Sequence, residues 1–487
     1  MSPFARQSVY KIGRVAMVIA VGLASGRARA QTAPAAPPPP AAASTPEATP
    51  VLAQPAPPAP DAAVQGRIDA LELRTKLLET NLAAAQATAA SPRSTTTFQT
   101  DEGGFAITSA DRQYQIRFKG LLQVDGRRAF DDAALQTTED TFITRRVRPI
   151  LAGTVLGLVD FYIAPDFGNN TIALYDAYLD AHPFPWLRLR VGKFKGPVGL
   201  ERLQSDADIV FVERALPQNL SAQREVGFEL WGDVAGGILR YEAGYFNGNP
   251  DNGLNDIDSN KSKTFEGRLL VQPFNAPSLR RFGKLAAGVA ASTGIEQGSA
   301  SNTWVGAFKS FGQNTIFSYL TTTTATTVFA SGRHTRVNPQ LYYYFGPFGL
   351  LAEWVHEYQQ LANSAGSGAV NNSAGNVVAS FVIGGDETYE GVKPHKSLDL
   401  ANGGYGALEI GVRYNWLDID ESAFPNAADP AKSVNRARAG GLALAWQLSR
   451  NLRVAADFEE TKFRGGAKSG GNRTTEKVGI ARFQLVF

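Results

Sequence analysis

The sequence predicts an all-β chain, a transmembrane antiparallel β-barrel of about sixteen strands preceded by a short N-terminal coiled-coil helix. Three observations predict it. From about Phe98 to the C-terminus, short runs alternate apolar and polar residues and turn residues recur between them. Several runs reach nine to eleven residues, the length a tilted strand needs to cross a bilayer. Beyond the N-terminal segment, no stretch approaches the ~18 apolar residues of a membrane helix.

The N-terminal segment itself reads as an export signal. Arg6, Lys11 and Arg14 precede the apolar run VAMVIAVGLAS (residues 15–25), and ARA (residues 28–30) offers small residues for cleavage. A signal peptide is expected over 1–30. It also carries the charge imbalance. The chain has 48 basic and 45 acidic residues, but the first thirty contain Arg6, Lys11, Arg14, Arg27, Arg29 and no acid. The remainder is close to neutral and slightly acidic, so no nucleic-acid partner is expected.

Residues 31–64 are mostly Ala and Pro and are expected to be an extended linker. Residues 65–90 follow as a helix. Ile68, Leu71, Thr75, Leu78, Leu82 and Ala85 step by alternating threes and fours, which is a heptad seam. Such a short coiled coil needs the support of an assembled partner domain. The alternative is one amphipathic helix lying on another surface.

The barrel is expected over 98–487. In YQIRFKGLLQVDG, Tyr114, Ile116, Phe118, Leu122 and Val124 share one face, opposite Gln115, Arg117, Lys119, Gln123 and Asp125. LRLRVG, ALEIGVRYNWLD and NLRVAADFEE alternate in the same way. Runs ending in aromatics, such as Tyr414 and Trp416, suit the girdles of a membrane barrel. Connections differ in length: HPFP (182–185) is short, whereas 246–263 and 360–405 read as long. The last strand, VGIARFQLVF, ends on Phe487, and outer-membrane barrels are similar in ending on a terminal aromatic.

FITRRVRPIL (142–151) is the oddest stretch. Arg146 and Arg148 share a face; Arg145 takes the other unless a bulge re-aims it, and Pro149 marks an irregularity. A wet lumen tolerates such arginines; the alternative is a rim position. Arg117, Lys119, Arg188 and Arg190 are further lumen candidates. Asp176 and Asp180 share a face opposite Tyr175, Ala177 and Leu179, and are read as carboxylates that balance charge on the wall. About thirty residues separate the strands ending near Lys193 and starting near Glu225. They carry Lys195, Arg202, Arg214 and Arg224, and are expected to fold into the lumen as an anion-attracting constriction. Glu201, Asp206, Asp208 and Glu213 leave an external lid of mixed charge as the alternative. With no cysteine and four isolated histidines (His182, His334, His356, His395), no catalytic residue, metal or cofactor is expected.

These residues resemble a known family. RRVRPILAG, DFG followed by LYDAYLDA, VGKFKGPVGLERLQS, FVERALP, REVGFELWG, GGYGALEIGVRYNWLD and the terminal ARFQLVF occur in order over 100–487. Together they resemble the phosphate- and pyrophosphate-selective porins of Gram-negative outer membranes. The resemblance implies a sixteen-stranded homotrimer in outer-membrane lipid, with an N-terminal coiled coil in the periplasm. It implies passive diffusion of small anions, phosphate above all, along a path lined by arginine and lysine. Arg145 and Arg146 fall in the family's paired-arginine strand, Lys195 in its Gly-x-Phe-Lys stretch and Arg214 in its Glu-Arg motif. Asp176 or Asp180 would supply its constriction carboxylate. Two positions depart from the pattern: Leu121, where an arginine is frequent, and Val198, where Phe is usual. A weakly selective diffusion porin and a cell-wall tether are the other readings.

Overall fold

The computed structural model describes residues 62–90, 96–101, 103–130, 140–221, 223–256, 261–321, 326–468 and 470–487. The expected signal peptide and nearly all of the expected linker lie outside them. The described residues form two units, a helix and the chain from Thr96 onward. The helix, α1, spans Ala62–Ala90, as its strong helix formers dictate. Of its heptad seam, Ile68, Leu71, Leu78 and Leu82 are 40–63 % exposed.

The second unit begins with a hairpin, β1 (Thr97–Asp101) and β2 (Gly104–Thr108). Next come β3 (Gln115–Ala129), β4 (Thr141–Val155), β5 (Val159–Asp166), β6 (Ala173–Phe184) and β7 (Leu187–Phe194). After a long connection follow β8 (Glu225–Val234), β9 (Leu239–Phe246), β10 (Thr264–Val271) and β11 (Lys284–Gln297). A small hairpin, β12 (Ala307–Lys309) and β13 (Thr315–Ser318), precedes β14 (Phe329–Phe345), β15 (Phe348–Asn363) and β16 (Gly366–Ile383). The short pair β17 (Gly385–Asp386) and β18 (Lys393–Pro394) precedes β19 (Ala407–Asp418), β20 (Val434–Gln447), β21 (Leu452–Gly465) and β22 (Glu476–Val486). Sixteen of these strands pair antiparallel with their neighbours, and β22 pairs with β3 to close the barrel. Closure removes the edges that would leave backbone groups unpaired in lipid.

The alternation seen in the sequence sorts side chains to the two faces of this wall. On β19, Ile410, Val412 and Tyr414 point outward, while Glu409, Arg413 and Asn415 are buried inside. On β3, Ile116 and Phe118 point outward, while Arg117, Lys119, Leu121, Gln123 and Asp125 line the interior. Among the described residues no helix is long and apolar enough to cross a membrane. The strands supply the apolar band.

Phe487 completes the seam. Its backbone N–H and C=O exchange bonds with Gly120 (3.1 and 2.8 Å), and its ring packs on Phe105 and Phe118. Because Gly120 turns both its polar groups toward Phe487, Pro149, which faces it from β4, has no ladder bond to lose there. Pro149 is therefore in regular register, not at an irregularity. The irregularity falls at Arg145: Gln123 pairs with Arg146 and Val124 with Thr144, leaving Arg145 as the extra residue of a bulge. The β5–β6 pairing skips Tyr175 in the same way. That places its ring under the Arg148 and Arg224 guanidiniums, on the same side as Asp176 and not opposite it.

The stretch 360–405 is not one long connection. β15 and β16 are joined by a two-residue turn at Ser364 and Ala365, because residues 366–383 continue the alternation as the longest strand of the barrel. Only 384–406 is a loop, and it lies on the rim that carries the C-terminus.

A clash test follows from the seam. A Cβ at Gly120 would lie 2.5 Å from the Phe487 ring. Gly120→Val should lower the unfolding free energy of the refolded barrel by about 1–3 kcal/mol. An unchanged urea midpoint would show that Phe487 does not lock the closure.

Candidate functional site

The connection between β7 and β8 enters the barrel. Its one-turn helix, Leu200–Leu203, turns the free N–H groups of Leu200 and Glu201 onto the Glu353 carboxylate of β15 (2.7 and 3.1 Å). Gly199, at φ 93°, makes the entry turn and donates to Asn338 of β14 (2.9 Å). Further along, Arg453 of β21 donates to the carbonyls of Ile209 and Val210 (both 2.7 Å), and Arg413 of β19 to that of Glu213 (2.8 Å). Gln123 of β3 donates to the Asp206 carbonyl (3.0 Å). The segment thus crosses the lumen from wall to wall. From the other rim, Tyr389 of loop 384–406 meets it. The Tyr389 hydroxyl donates to the Leu200 carbonyl (2.7 Å), and its own carbonyl accepts from Gln204 (2.9 Å).

Two carboxylates fix the crossing segment, and each is gripped by three guanidiniums. Glu213 meets Arg145 (2.5 Å), Arg127 (2.9 Å) and Arg482 (3.2 Å). Arg145 grips it with two parallel bonds. Asp206 meets Arg146 (3.4 Å), Arg148 and Arg214. Burial by itself would raise both carboxyls. The surrounding arginines override it and hold both well below the usual carboxylate range.

Beside this clamp lies a group of cations with fewer counter-charges. Arg148 pairs with Asp166 (2.6 Å) and Asp206, Arg224 with Asp176 (3.1 Å), and Arg146 and Arg214 share Asp206. Among the described residues Lys195 bonds only to the Gln204 carbonyl (2.6 Å), and Arg202 to Ser221 Oγ (2.8 Å) and the Gln218 carbonyl (2.5 Å). Among the described residues neither has a carboxylate within 4.0 Å. The group therefore sets six cations against Asp166, Asp176 and Asp206. Burial, then Arg214 and Arg224, push the Lys195 ammonium well below its usual value, and the same causes push Arg202 down to about 9. An anion seated among them would relieve that repulsion.

The sequence-predicted residues divide accordingly. Arg145, Arg146, Arg148, Lys195, Arg202, Arg214, Arg224 and Asp176 come together at the crossing segment. Arg117 does not: it pairs with Asp101 of β1 (2.6 Å), near the terminus-bearing rim. Asp180 lies in a separate belt with Arg188 (3.1 Å) and Arg190 (2.8 Å). Sequence reasoning missed Arg127 and Arg482 as clamp residues, and saw Asp206 and Glu213 only as charges of a lid. Their period-two positions mark Arg127 and Arg482 as inward-facing. Nothing local says that they meet one loop carboxylate.

A closed sixteen-strand barrel with a polar interior and an inward-folded loop defines a porin-type outer-membrane channel protein. A profile for the phosphate-selective porins O and P matches residues 116–487, and the chain belongs to that family. No curated protein matches the sequence. Solved structures similar in fold include the outer-membrane channel DcaP of Acinetobacter baumannii (11 % identity, 79 % of this chain and 100 % of that one, TM-score 0.49). In vitro folded OmpT of Vibrio cholerae is also similar (13 % identity, 77 % and 98 %, TM-score 0.47). So is Salmonella typhi OmpF in complex with daunomycin (10 % identity, 80 % and 100 %, TM-score 0.45).

The clamp predicts a loop phenotype. Glu213→Ala leaves the buried Arg145 guanidinium without its carboxylate, beside Arg127 and Arg482, which keep Asp125, and should cost about 3–5 kcal/mol. Limited proteolysis within 195–224 should then become fast. In the wild type, protection should persist from neutral pH down through the ordinary carboxylate range and fail only in stronger acid. The folded-state values are depressed, so the stabilisation is complete above about pH 4 and lost as pH falls through the lower folded values. Proteolysis unaffected by Glu213→Ala would overturn the clamp.

Proposed function

We propose that the chain is a homotrimeric porin of a Gram-negative outer membrane that passes small oxyanions, phosphate among them, by passive diffusion past Lys195, Arg202, Arg214 and Arg224. The observation that carries this reading is the cation excess beside the loop, above all the two cations without a carboxylate partner. Guanidinium forks and an ammonium suit the oxygens of phosphate. The site performs no covalent step. Binding must stay weak enough for release. Arg145, Arg146 and Arg148 act mainly by holding the loop, so Lys195 and Arg202 are the residues an anion meets unopposed. Leu121 faces inward across from Arg148, where an added arginine would raise the positive field further.

The rim with the termini faces the periplasm in this reading. The signal peptide (1–30) is removed on export, the Pro/Ala linker (31–64) follows, and three copies of α1 pair through the exposed seam of Ile68, Leu71, Leu78 and Leu82. A weakly selective pore is the second reading, favoured by a carboxylate-rich patch on the neighbouring wall.

Reversal potential across a planar bilayer in a KCl gradient, followed by phosphate titration, tests the reading. The wild type should prefer anions and be blocked by phosphate, and Lys195→Ala should reduce both effects. Equal reversal potentials in wild type and variant would refute the site. Preference without block would favour the weakly selective pore. Deleting residues 31–92 should leave conductance intact while lowering the trimer fraction in native gels. Loss of conductance would place the helix in the channel itself.

A further inference from the structure

The patch on the neighbouring wall has a composition of its own. Strands β8, β10, β11, β14 and β15 and the connection after β9 turn Glu225, Glu266, Glu296, Glu357 and Asp251 inward around Arg336 and His334. All seven are buried, with 6 % exposure or less. His334 sits just after a break in the β14–β15 pairing, at Gly332 (φ 125°). Its Nδ1 faces Glu296 (2.8 Å) and its Nε2 faces Glu357 (2.7 Å). The other Glu357 oxygen accepts from Asn372 (2.8 Å), and Asp251 pairs with Arg336 (2.6 Å).

We propose that this niche binds one divalent transition-metal cation, of the zinc or nickel class, through His334, Glu357 and Asp251. These three bring one ligand atom each within 4.8 Å of one another. The Asp251 and Glu357 carboxylates thus approach each other with one oxygen of each within 4.8 Å. Two carboxylates hold that arrangement only with a proton or a cation between them. A second observation points to the cation. Among the described residues, Oε2 of Glu266 is buried without a hydrogen-bond partner. Glu266 acts electrostatically on Arg336 and on the ligand His334, so its charge reaches the site. Glu296 on Nδ1 orients the imidazole so that Nε2 is the ligating atom, the carboxylate–histidine arrangement common at metal sites. An imidazole with carboxylate oxygens selects zinc, nickel or copper over the harder calcium and magnesium. The niche adjoins the crossing segment. A Cβ at Gly196, next to Lys195, would lie 2.0 Å from Glu266 Oε2. The inference stands independently of the anion reading.

The test uses the refolded full-length protein, stripped with EDTA and titrated with Zn²⁺ against a colorimetric chelator. One equivalent per chain is expected, with Ca²⁺ failing to compete. His334→Gln and Glu357→Gln should each weaken uptake by about tenfold or more, while His395→Gln, on an exposed histidine elsewhere, should not. Absence of a stoichiometric Zn²⁺ site overturns the proposal. So does equal competition by Ca²⁺, or uptake unchanged in both niche variants. If the variants do not assemble, Cu²⁺ bound to the wild type decides. Imidazole-nitrogen coupling in its pulsed EPR spectrum supports the site, and its absence overturns it.

Discussion

The interior of this barrel depends on the grip of six arginines on two loop carboxylates. Glu213 and Asp206 belong to a segment of about thirty residues whose backbone would otherwise have no partner in the lumen. Each ion pair in isolation is weak grounds for stability, because desolvation offsets most of the attraction. Position is another matter. The six guanidiniums stand on β3, β4, β22 and the loop itself, so satisfying two carboxylates fixes where the loop crosses. Backbone bonds to Glu353, Asn338, Arg413 and Arg453 then complete the crossing on the opposite wall.

Backbone defects aim the charges. A regular β4 would send Arg145 into lipid, at high cost, and leave Glu213 with two partners. The bulge at Arg145 brings it inside. The bulge at Tyr175 does the reverse of what simple alternation dictates for an aromatic, placing it under two guanidiniums where its ring face offsets their repulsion. Both bulges lie on the wall facing the crossing segment, where function needs an extra inward side chain.

Around the loop the interior divides by sign. The clamp sets six guanidiniums against Glu213, Asp206 and the flanking Asp125 and Asp166. The group holding Lys195 and Arg202 has positive charge in excess, and the niche at His334 has negative charge in excess. A lumen that is nearly neutral as a whole thus carries two strong local fields at the same narrow level. That distribution, and not the net charge of the chain, governs which solutes and ions dwell there.

Alternation of side chains along a strand is a local rule, so the sequence by itself determined the barrel, its strand number, and the inward face of Arg146, Arg148, Arg188 and Arg190. Heptad spacing pointed to a helix over 65–90, where the structure has α1 at Ala62–Ala90, and the gap between strand patterns marked the approximate limits of the inward loop. Tertiary structure decided what local rules cannot reach. It set which residue of the Arg145–Arg146 pair is bulged, because that depends on the register of β3. It made Pro149 harmless, because Gly120 bonds to a residue more than three hundred positions away. It joined 366–383 to the wall as a strand, because polar Asn and Ser line a wet lumen as readily as they fill a loop. It brought Asp251, from the connection after β9, to His334 and Glu357, which already face each other in the β14–β15 hairpin.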